Sequence, residues 1–501
     1  AGQRGARVAV VSLGQYQLSY RDYDQLASTA ELMWKKYQMI ICMAAGNNGP
    51  GINTVTRSSA LGNVISVGAY ATPQMWYRDY GWKVEEPTLW YFSSVGPSVD
   101  GLLAPTVIAP GNAISTFPLW GDSIYRLDEG TSMAAPHVAG AVALLLDVAT
   151  HQLYKNDTLA VYQALISGAV PLDNLQPAEQ GLGAVNVMRA WQELKDMKDS
   201  FTAYKVRQYT PGYGYGQGLY SRGLIPAKMS VKISNTSNTS RQLAVGGLAD
   251  WIQPSQYWLQ VPAGSERRIN IEYQGLNEPG LYSQFLVADD MDTPGTDLNI
   301  LQTVVVPYDL GNLPKNTLTQ TANLPAGQFK RYFLQVPEGT GQLNLSLEVG
   351  QKGRARMHVI SPQGWQEVSS YAGVGSTTTR DKVELTFDQP AAGVWEVVVY
   401  SSSTLSSFNL RQTSYTFKAS LENVVPVSQK KPEERYLITA VPSTLQEEGK
   451  MTVTLHFWHY NTKAPAEGAV VINDRLYELD QGTVTLNLPL TESPVPIHIS
   501  W

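Results

Sequence analysis

The chain has 501 residues, enough for about three or four domains, and 43% of them are hydrophobic, which is ample for several buried cores. Lys and Arg total 37 and Asp and Glu total 43, so the net charge is −6 and nucleic acid is not an expected partner. Only 16% of the residues are charged, which favours a secreted or cell-envelope location, with a cytoplasmic one as the alternative.

The single cysteine excludes an internal disulfide framework. Cys42 lies in an apolar run, 39–45, which predicts a buried, inert thiol. No apolar segment approaches the ~20 residues that a membrane-spanning helix needs, so no membrane span is expected. The amino terminus does not resemble a signal peptide, and we expect it to begin in the middle of a domain.

The first 200 residues alternate between apolar runs typical of buried strands and segments with helical spacing. Strand, helix and strand in that order predict a parallel sheet, whose ligands bind beyond the carboxyl ends of the strands. Gly14 and Asn47 follow two of the predicted strands and are therefore in the right place for a site. Strands are predicted at 7–13, 39–45 and 64–70, and helices at 22–37, 132–149, 158–168 and 184–197.

After residue 200 the pattern changes to short alternating strands separated by Gly, Pro, Asn and Asp turns. This pattern predicts β-sandwich domains. Polar, proline-containing stretches at 310–316 and 428–435 indicate boundaries between them. The predicted domains are 1–200, 201–312, 313–430 and 431–501.

The strongest chemical signal is the string Gly-Thr-Ser-Met-Ala-Ala-Pro-His-Val-Ala-Gly at 130–140. It places Ser132 at the start of a predicted helix, among unpaired N–H donors that stabilise a developing oxyanion. The alternative is that Ser132 only caps the helix. The length of the string favours a nucleophile over a cap.

Asn47 is the second signal, because flanking glycines hold it at the end of a predicted strand. Its side-chain amide is suited to donate a hydrogen bond to a tetrahedral oxyanion. An ordinary turn at 46–49 is the alternative, and the serine string downstream favours the oxyanion donor.

A serine nucleophile needs a base, normally a histidine oriented by a carboxylate. His137 lies inside the serine string, where a packed or hydrogen-bonded helix residue is a better interpretation than the base. No Asp-Ser-Gly or Asp-Thr-Gly follows an amino-terminal strand. The chain does not contain a complete triad of its own. Its six histidines are His137, His151, His358, His456, His459 and His498.

Five motifs together resemble the subtilisin family in order and spacing. The resemblance implies the carboxyl-terminal part of an α/β parallel-sheet subtilisin-like catalytic domain, followed by β-sandwich or jelly-roll-like domains. The motifs are Ser12-Leu13-Gly14, Ala44-Ala45-Gly46-Asn47, Phe92-Ser93-Ser94-Val95-Gly96-Pro97, Ala109-Pro110-Gly111 and the serine string.

That resemblance assigns roles residue by residue. Ser132 is the nucleophile, and Asn47 donates to the oxyanion together with the Ser132 N–H. The backbone of 12–14 pairs with an extended peptide substrate, and 44–46 walls the primary specificity pocket, with Thr56 near its floor. Thr131 is the remaining substrate-binding residue. The catalytic Asp and His are expected on a separate amino-terminal chain, and further oligomerisation is possible.

A narrower resemblance is to the tripeptidyl peptidase II branch. It is carried by Asn47-Asn48-Gly49-Pro50, Val67-Gly68-Ala69-Tyr70, Gln217-Gly218-Leu219-Tyr220 and Phe333-Leu334-Gln335-Val336-Pro337. Aminopeptidases of that branch hold the substrate's amino terminus with glutamates, one of them directly after the Ser-x-Gly strand. Here that position is Gln15, which is neutral, so both endopeptidase and tripeptidyl-aminopeptidase action stay open.

Two further hypotheses come from the residues. Asp289, Asp290, Asp292 and Asp297 are a possible structural calcium site, but a solvated hairpin tip is the better interpretation, and no cofactor is otherwise expected. The alternative to an enzyme is a catalytically inactive subtilisin-like scaffold or binding protein. The presence of both Ser132 and Asn47 favours the enzyme.

Overall fold

The computed structural model of the chain describes residues 1–14, 20–116, 120, 124–151, 158–197, 204–375, 381–424, 436–446, 450–459, 462, 464–489 and 497–500. Gln15 therefore lies outside the described residues. Over the described ranges the strands form seven sheets, and the helices are concentrated before residue 200.

The first unit, residues 1–197, contains a parallel sheet with helices against it. Its strands are β1 (Val8–Val11), β2 (Ile40–Ala44), β3 (Val64–Ala71), β4 (Thr88–Leu89), β5 (Val107–Pro110), β6 (Asn112–Thr116) and β7 (Tyr125–Glu129). Its helices are α1 (Tyr20–Tyr37), α2 (Pro73–Tyr80), α3 (Thr131–His151), α4 (Thr158–Ser167), α5 (Pro177–Gln180) and α6 (Val187–Asp196).

Strands β1, β2, β3 and β5 are parallel neighbours in that order, which confirms the predicted parallel sheet. β4 pairs antiparallel with β3, and β6 and β7 form a separate hairpin. The predicted helices correspond to α1, α3, α4 and α6. The sequence analysis missed α2, which begins where Thr72 accepts a hydrogen bond from the Met75 N–H (3.2 Å) and Pro73 opens the first turn.

Helix α3 lies against the sheet and forms the centre of the first core. Its buried face consists mainly of alanine and valine, so the helix packs close to β2, β3 and β5. Over Thr131–Ala149 it is also long and apolar enough to cross a membrane by length and composition alone. The premise that no apolar segment approaches this length was therefore wrong. Half of the segment is buried inside the structure, as in the core helix of a globular domain.

Cys42 lies in the middle of β2 and is fully buried. Burial raises the pKa of its thiol to about 12, because the thiolate has no solvation there. This confirms the predicted inert thiol.

The second unit consists of two facing sheets with apolar residues between them. Its strands are β8 (Tyr204–Thr210), β9 (Gly214–Gly216), β10 (Leu219–Arg222), β11 (Ile225–Asn235), β12 (Arg241–Gly247), β13 (Ile252–Pro254), β14 (Trp258–Val261), β15 (Glu266–Tyr273), β16 (Gly280–Asp290) and β17 (Leu298–Val306). One sheet has the order β10-β17-β16-β12-β14, and the other contains β13, β15, β11, β8 and β9.

The third unit also has two sheets around one core. Its strands are β18 (Tyr308–Asp309), β19 (Thr317–Pro325), β20 (Phe329–Val336), β21 (Thr340–Glu348), β22 (Arg354–Ile360), β23 (Gln366–Val368), β24 (Ala372–Gly373), β25 (Lys382–Asp388), β26 (Gly393–Ser401) and β27 (Gln412–Val424). The sheet that faces the first unit has the order β18-β20-β26-β22-β23, with β24 paired to β22, and the other has the order β19-β27-β21-β25.

The last strands are β28 (Tyr436–Gln446), β29 (Lys450–His459), β30 (Ala469–Ile472), β31 (Arg475–Glu478), β32 (Thr483–Pro489) and β33 (Ile499–Ser500). β28, β29 and β32 form an antiparallel sheet. β31 instead pairs in parallel with β11, so that β30, β31 and β33 extend a sheet of the second unit. Glu478 fixes this junction by accepting hydrogen bonds from the N–H (2.7 Å) and hydroxyl (2.8 Å) of Ser230. The domain boundaries at 200, 312 and 430 stay predictions.

Candidate active site

Ser132 lies in the first turn of α3, where the sequence places it. The carbonyl oxygen of Gly130 accepts hydrogen bonds from the N–H groups of Met133 (3.0 Å) and Ala134 (3.3 Å). The Ser132 N–H, which lies between Gly130 and these donors in the chain, has no acceptor among the described residues. A free donor and the positive end of the helix dipole are therefore both next to the Ser132 hydroxyl.

The proline in the serine string changes the hydrogen bonding of this turn. Pro136 has no N–H, so it cannot donate to the Ser132 carbonyl oxygen as a residue four positions later normally does. The Ser12 hydroxyl donates to that oxygen instead, at 2.9 Å, and the Ser132 hydroxyl donates to the Ser12 carbonyl oxygen at 3.3 Å. These two bonds connect Ser132 to the segment that follows β1.

Asn47 is exposed just beyond the end of β2, and Thr131 fixes its orientation. The Asn47 Oδ1 atom accepts hydrogen bonds from the Thr131 N–H (3.0 Å) and the Thr131 hydroxyl (2.9 Å). The same hydroxyl accepts a hydrogen bond from the Gly46 N–H at 3.3 Å. Thr131 is buried, with 1% of its surface exposed. Because Oδ1 is fully used, the Nδ2 group of Asn47 is left as the donor for a ligand.

The Asn47 amide nitrogen lies beside the turn that carries the nucleophile. It is 3.5 Å from the position that a Cβ atom on Gly130 would occupy. The Asn47 amide and the Ser132 N–H thus provide two donors next to the Ser132 hydroxyl. Such donors stabilise the oxyanion of a tetrahedral intermediate when they are held in place before the reaction.

Two glycines open a recess above Thr56. A Cβ atom on Gly14 would lie 2.9 Å from Thr56 Cγ2, and one on Gly46 would lie 2.7 Å from the same atom. Side chains at either position would fill this space, so Gly14 and Gly46 leave it to a ligand. Leu13, between Ser12 and Gly14, is 79% exposed, which leaves this segment accessible to an extended peptide.

Ala44 and Ala45 contribute differently from the glycines. The Ala44 side chain is buried in the core under α3, and the Ala45 side chain packs with Val55 and Ala60. Any contact of Ala44 or Ala45 with a substrate would therefore be made by the backbone.

No histidine completes the site within the described part of the chain. The Ser132 hydroxyl is bonded to the Ser12 carbonyl oxygen, and no described histidine side chain lies within hydrogen-bond distance of it. His137 is exposed on α3, where its Nδ1–H donates to the Met133 carbonyl oxygen at 2.8 Å. The other histidines whose side chains are described lie in or beside strands of the third unit and the last strands: His358, His456, His459 and His498.

The acidic turn of the second unit uses its carboxylates locally. Asp290 forms an ion pair with Arg241 (3.2 Å), and Asp297 accepts hydrogen bonds from the Asp290 N–H (2.8 Å) and the Thr293 hydroxyl (2.8 Å). Burial raises the pKa of Asp297 to about 6. In the ranges that the structure describes, no group of three or more His, Cys, Asp or Glu residues is arranged to hold a metal ion.

The amino-terminal part of the chain matches a known protein family. Residues 1–190 match the Subtilase family, peptidase S8. These residues are a subtilase domain. The chain is 32% identical to pyrolysin from Pyrococcus furiosus over 383 residues, which are 68% of this chain and 27% of pyrolysin. It is 28% identical to tripeptidyl-peptidase 2 from Drosophila melanogaster over 382 residues, 70% of this chain and 26% of that protein.

The subtilisin-like fold is also found among solved structures. The crystal structure of tripeptidyl peptidase 2 (TPP II) matches 95% of this chain and 43% of its own with a TM-score of 0.66, at 22% sequence identity. The resemblance predicted from the motifs is therefore confirmed. The chain spans about a quarter of the length of the curated relatives described above.

The sequence analysis did not predict the hydrogen bonds that hold Ser132 and Asn47 in place. The exchange of hydrogen bonds between Ser12 and Ser132 could have been suspected from Pro136, since a proline four residues after the serine leaves one carbonyl oxygen free. The orientation of Asn47 by Thr131 had no comparable signal, because it depends on how β2 and α3 meet.

We expect Thr131→Val to lower catalysis without unfolding the site. The variant keeps the side-chain shape but removes the hydroxyl that holds Asn47 Oδ1, so the amide loses one of two anchors. The expected decrease in kcat is about tenfold, the equivalent of one ordinary hydrogen bond. Hydrolysis of a peptide 4-nitroanilide by the complete native assembly measures it. Thr131→Ser keeps the hydroxyl and is the matched control; equal losses in both variants would contradict the assigned role.

Proposed function

We propose that this chain is the nucleophile-bearing part of a serine peptidase that hydrolyses peptide bonds through an acyl-enzyme intermediate. The observation that carries the proposal is the Ser132 hydroxyl beside the Asn47 amide and the unsatisfied Ser132 N–H. Ser132 Oγ attacks the carbonyl carbon while the partner-chain histidine takes its proton, and the two donors stabilise the oxyanion. The C–N bond then breaks, and the histidine gives that proton to the leaving amine. The side-chain donor is worth ~3–4 kcal/mol of barrier. Water then releases the acyl group.

The substrate is an extended peptide that adds to the exposed segment 12–14. The high exposure of Leu13 and the recess above Thr56 support this mode, in which backbone hydrogen bonds align the peptide and a side chain enters the recess. Gly14 and Gly46 keep the recess open. The scissile carbonyl group would then lie near Ser132.

The catalytic histidine and aspartate come from a separate amino-terminal chain in this proposal. β1 supports it, because in the described ranges it pairs only with β2 and none of its four apolar residues is buried, whereas all five residues of β2 are. An open apolar strand edge is suited to pair with a further strand. The added strands would extend the sheet next to Ser12.

The outer face of helix α3 is a second observation in favour of the proposed partner chain. Pro136, Gly140, Ala143 and Leu144 are exposed on the side opposite the sheet, together with His137 and Asp147, and Leu144 is 60% exposed. An apolar stripe on a helix is ordinarily buried against another element. A partner segment that covers this stripe would begin next to the turn that carries Ser132.

We propose endopeptidase action, with release of tripeptides from free amino termini as the second candidate. The support is Gln15, which directly follows the substrate-pairing segment and carries no charge. A neutral amide does not pair with an α-ammonium group as a carboxylate does.

We expect a fluorophosphonate probe to label Ser132 in the native assembly, because the probe reacts with a serine that a base activates. The 501-residue chain alone should label at least about a hundredfold more slowly, since no described histidine side chain reaches the Ser132 hydroxyl. Peptide mass spectrometry locates the label, and Ser132→Ala is the control. No labelling of Ser132 in the native assembly would overturn the enzyme and leave the inactive scaffold.

We expect Leu144→Glu to weaken association with the partner chain, because a charge in a buried apolar stripe must be desolvated. Met188→Glu is the matched control: Met188 is 67% exposed on α6, outside the proposed surface. Co-purification and the rate of Ser132 labelling are the measurements. A loss of at least about tenfold for Leu144→Glu alone is expected, and equal behaviour of the two variants would remove α3 from the interface.

We expect free and N-acetylated forms of the same tripeptide 4-nitroanilide to be hydrolysed with kcat/KM values within about threefold of each other, because no charge at Gln15 selects a free amino terminus. A preference of about a hundredfold or more for the free peptide would favour tripeptidyl-aminopeptidase action.

A further inference from the structure

The segment that follows the oxyanion donor is held on two sides. We define the oxyanion loop as residues 47–54. On one side the first unit holds it: the Asn48 N–H donates to the Ser94 hydroxyl (3.1 Å), and the Gly49 N–H donates to the Phe92 carbonyl oxygen (2.8 Å). Near its end, the Thr54 N–H donates to the Val95 carbonyl oxygen at 2.8 Å. Within the loop the Thr54 hydroxyl donates to the Gly51 carbonyl oxygen (2.7 Å), and the backbone of Pro50 and Ile52 is bonded from the other side.

Side chains of the third unit hold the backbone at Pro50 and Ile52. Both carboxylate oxygens of Glu396, on β26, accept from the Ile52 N–H, at 3.2 and 3.1 Å. The Arg331 guanidinium, on β20, donates to the Pro50 carbonyl oxygen at 2.9 Å. These contacts reach the backbone only three and five residues after Asn47.

A third and weaker contact comes from Gln366 at the start of β23. Its amide nitrogen lies 3.4 Å from the Gly49 carbonyl oxygen and 3.4 Å from His358 Nδ1. Burial, together with the charge of Arg356, lowers the pKa of His358 to about 4, so the ring is neutral near pH 7 and its Nδ1 is able to accept. The amide is thus directed towards the oxyanion loop.

Burial of the Glu396 carboxylate costs free energy, because the carboxylate loses its solvation by water. It is 0% exposed in a strand that has neighbours on both sides, and its charge is balanced by Arg331 Nε (3.3 Å) and an Arg222 nitrogen (3.7 Å). A buried carboxylate with two arginines is a poor source of net stability compared with apolar packing. It does, however, fix the position of the Ile52 N–H from a rigid sheet.

The apolar contacts around Ile52 make the same connection. Ile52 is 1% exposed and packs with Phe333 and Val394 of the third unit. A Cβ atom on Gly51 would lie 2.8 Å from Ile360 Cγ1, so the two surfaces meet without a gap at this point. The oxyanion loop therefore has little freedom to move relative to the third unit.

We propose that Glu396, assisted by Arg331 and Gln366, is a positioning residue for the oxyanion donor Asn47, so that the third unit takes part in catalysis. This inference rests on the proposed peptidase function. Glu396 does not touch the reacting atoms; it acts through the oxyanion loop. An oxyanion donor contributes fully only when it is held in place before the charge develops, so a small displacement of Asn47 costs rate and leaves binding intact.

The test is a double-mutant cycle with Asn47 in the complete native assembly. Glu396→Asp keeps the charge between the two arginines but withdraws the carboxylate from the Ile52 N–H. We expect kcat for a peptide 4-nitroanilide to fall about tenfold and KM to change less than about twofold. In the Asn47→Ala background the same substitution should lower kcat less than about twofold, because the donor that it positions is gone.

Glu478→Asp is the matched control, since Glu478 is also a buried carboxylate that accepts from a backbone N–H, that of Ser230, beside an arginine, but it lies at the junction of β31 with β11. It should leave kcat within about twofold of the unmodified enzyme. Equal effects of Glu396→Asp in both backgrounds, or an equal loss in Glu478→Asp, would overturn the positioning role. If Glu396→Asp does not assemble, the exposed Gln366→Met carries the same cycle, with an expected loss of about threefold that disappears without Asn47.

The outcomes also distinguish this inference from the proposed peptidase function on which it rests. Hydrolysis by the unmodified assembly with an additive cycle removes only the role of Glu396. Absence of both hydrolysis and Ser132 labelling in the unmodified assembly removes the proposed function, and the positioning role with it.

Discussion

Thr131 connects the end of β2 to the start of α3, and the rest of the site depends on that connection. Two of its groups donate to Asn47 Oδ1, and its hydroxyl also accepts from the Gly46 N–H. The strand is buried on both faces and the helix lies across the sheet, so neither end of the connection is free to shift. A flexible side-chain amide thereby becomes a fixed donor beside the nucleophile.

A second set of hydrogen bonds holds the site together at the end of β1. A proline in the first turns of a helix normally costs a hydrogen bond, and here the missing donor is replaced by the hydroxyl of Ser12. The segment expected to align the substrate is thus bonded to the residue expected to attack it. In the proposed peptidase, one pair of hydrogen bonds would therefore set both the alignment of the substrate and the position of Ser132.

The sequence analysis recovered the features that are local in the chain. The positions of Ser132 and Asn47, the parallel sheet and the buried thiol of Cys42 follow from short strings and from apolar runs with turn residues after them. Helix α2 was missed because it is short and largely polar, although Thr72 and Pro73 carry its start signal.

Features that depend on distant parts of the chain were not predictable. Glu396 contacts the Ile52 N–H across 344 positions in sequence, and an isolated glutamate in an apolar run carries no sign of its partner. The sequence also carries no signal for the pairing of β31 with β11, because the alternating pattern of a strand does not specify which sheet edge it will join. Both became visible only through the packed tertiary structure.

The pairing of β31 with β11 has a consequence for how the chain folds during its synthesis. β11 receives β31 along one edge, and Ser230 is bonded to Glu478 across 248 positions. A ribosome releases the amino-terminal residues first, so the part of this edge at Ile225–Lys228 stays unpaired until β31 has been synthesised, whereas β8 pairs with the part at Val231–Asn235. Until then the nascent polypeptide exposes an unpaired strand edge with which other chains can pair.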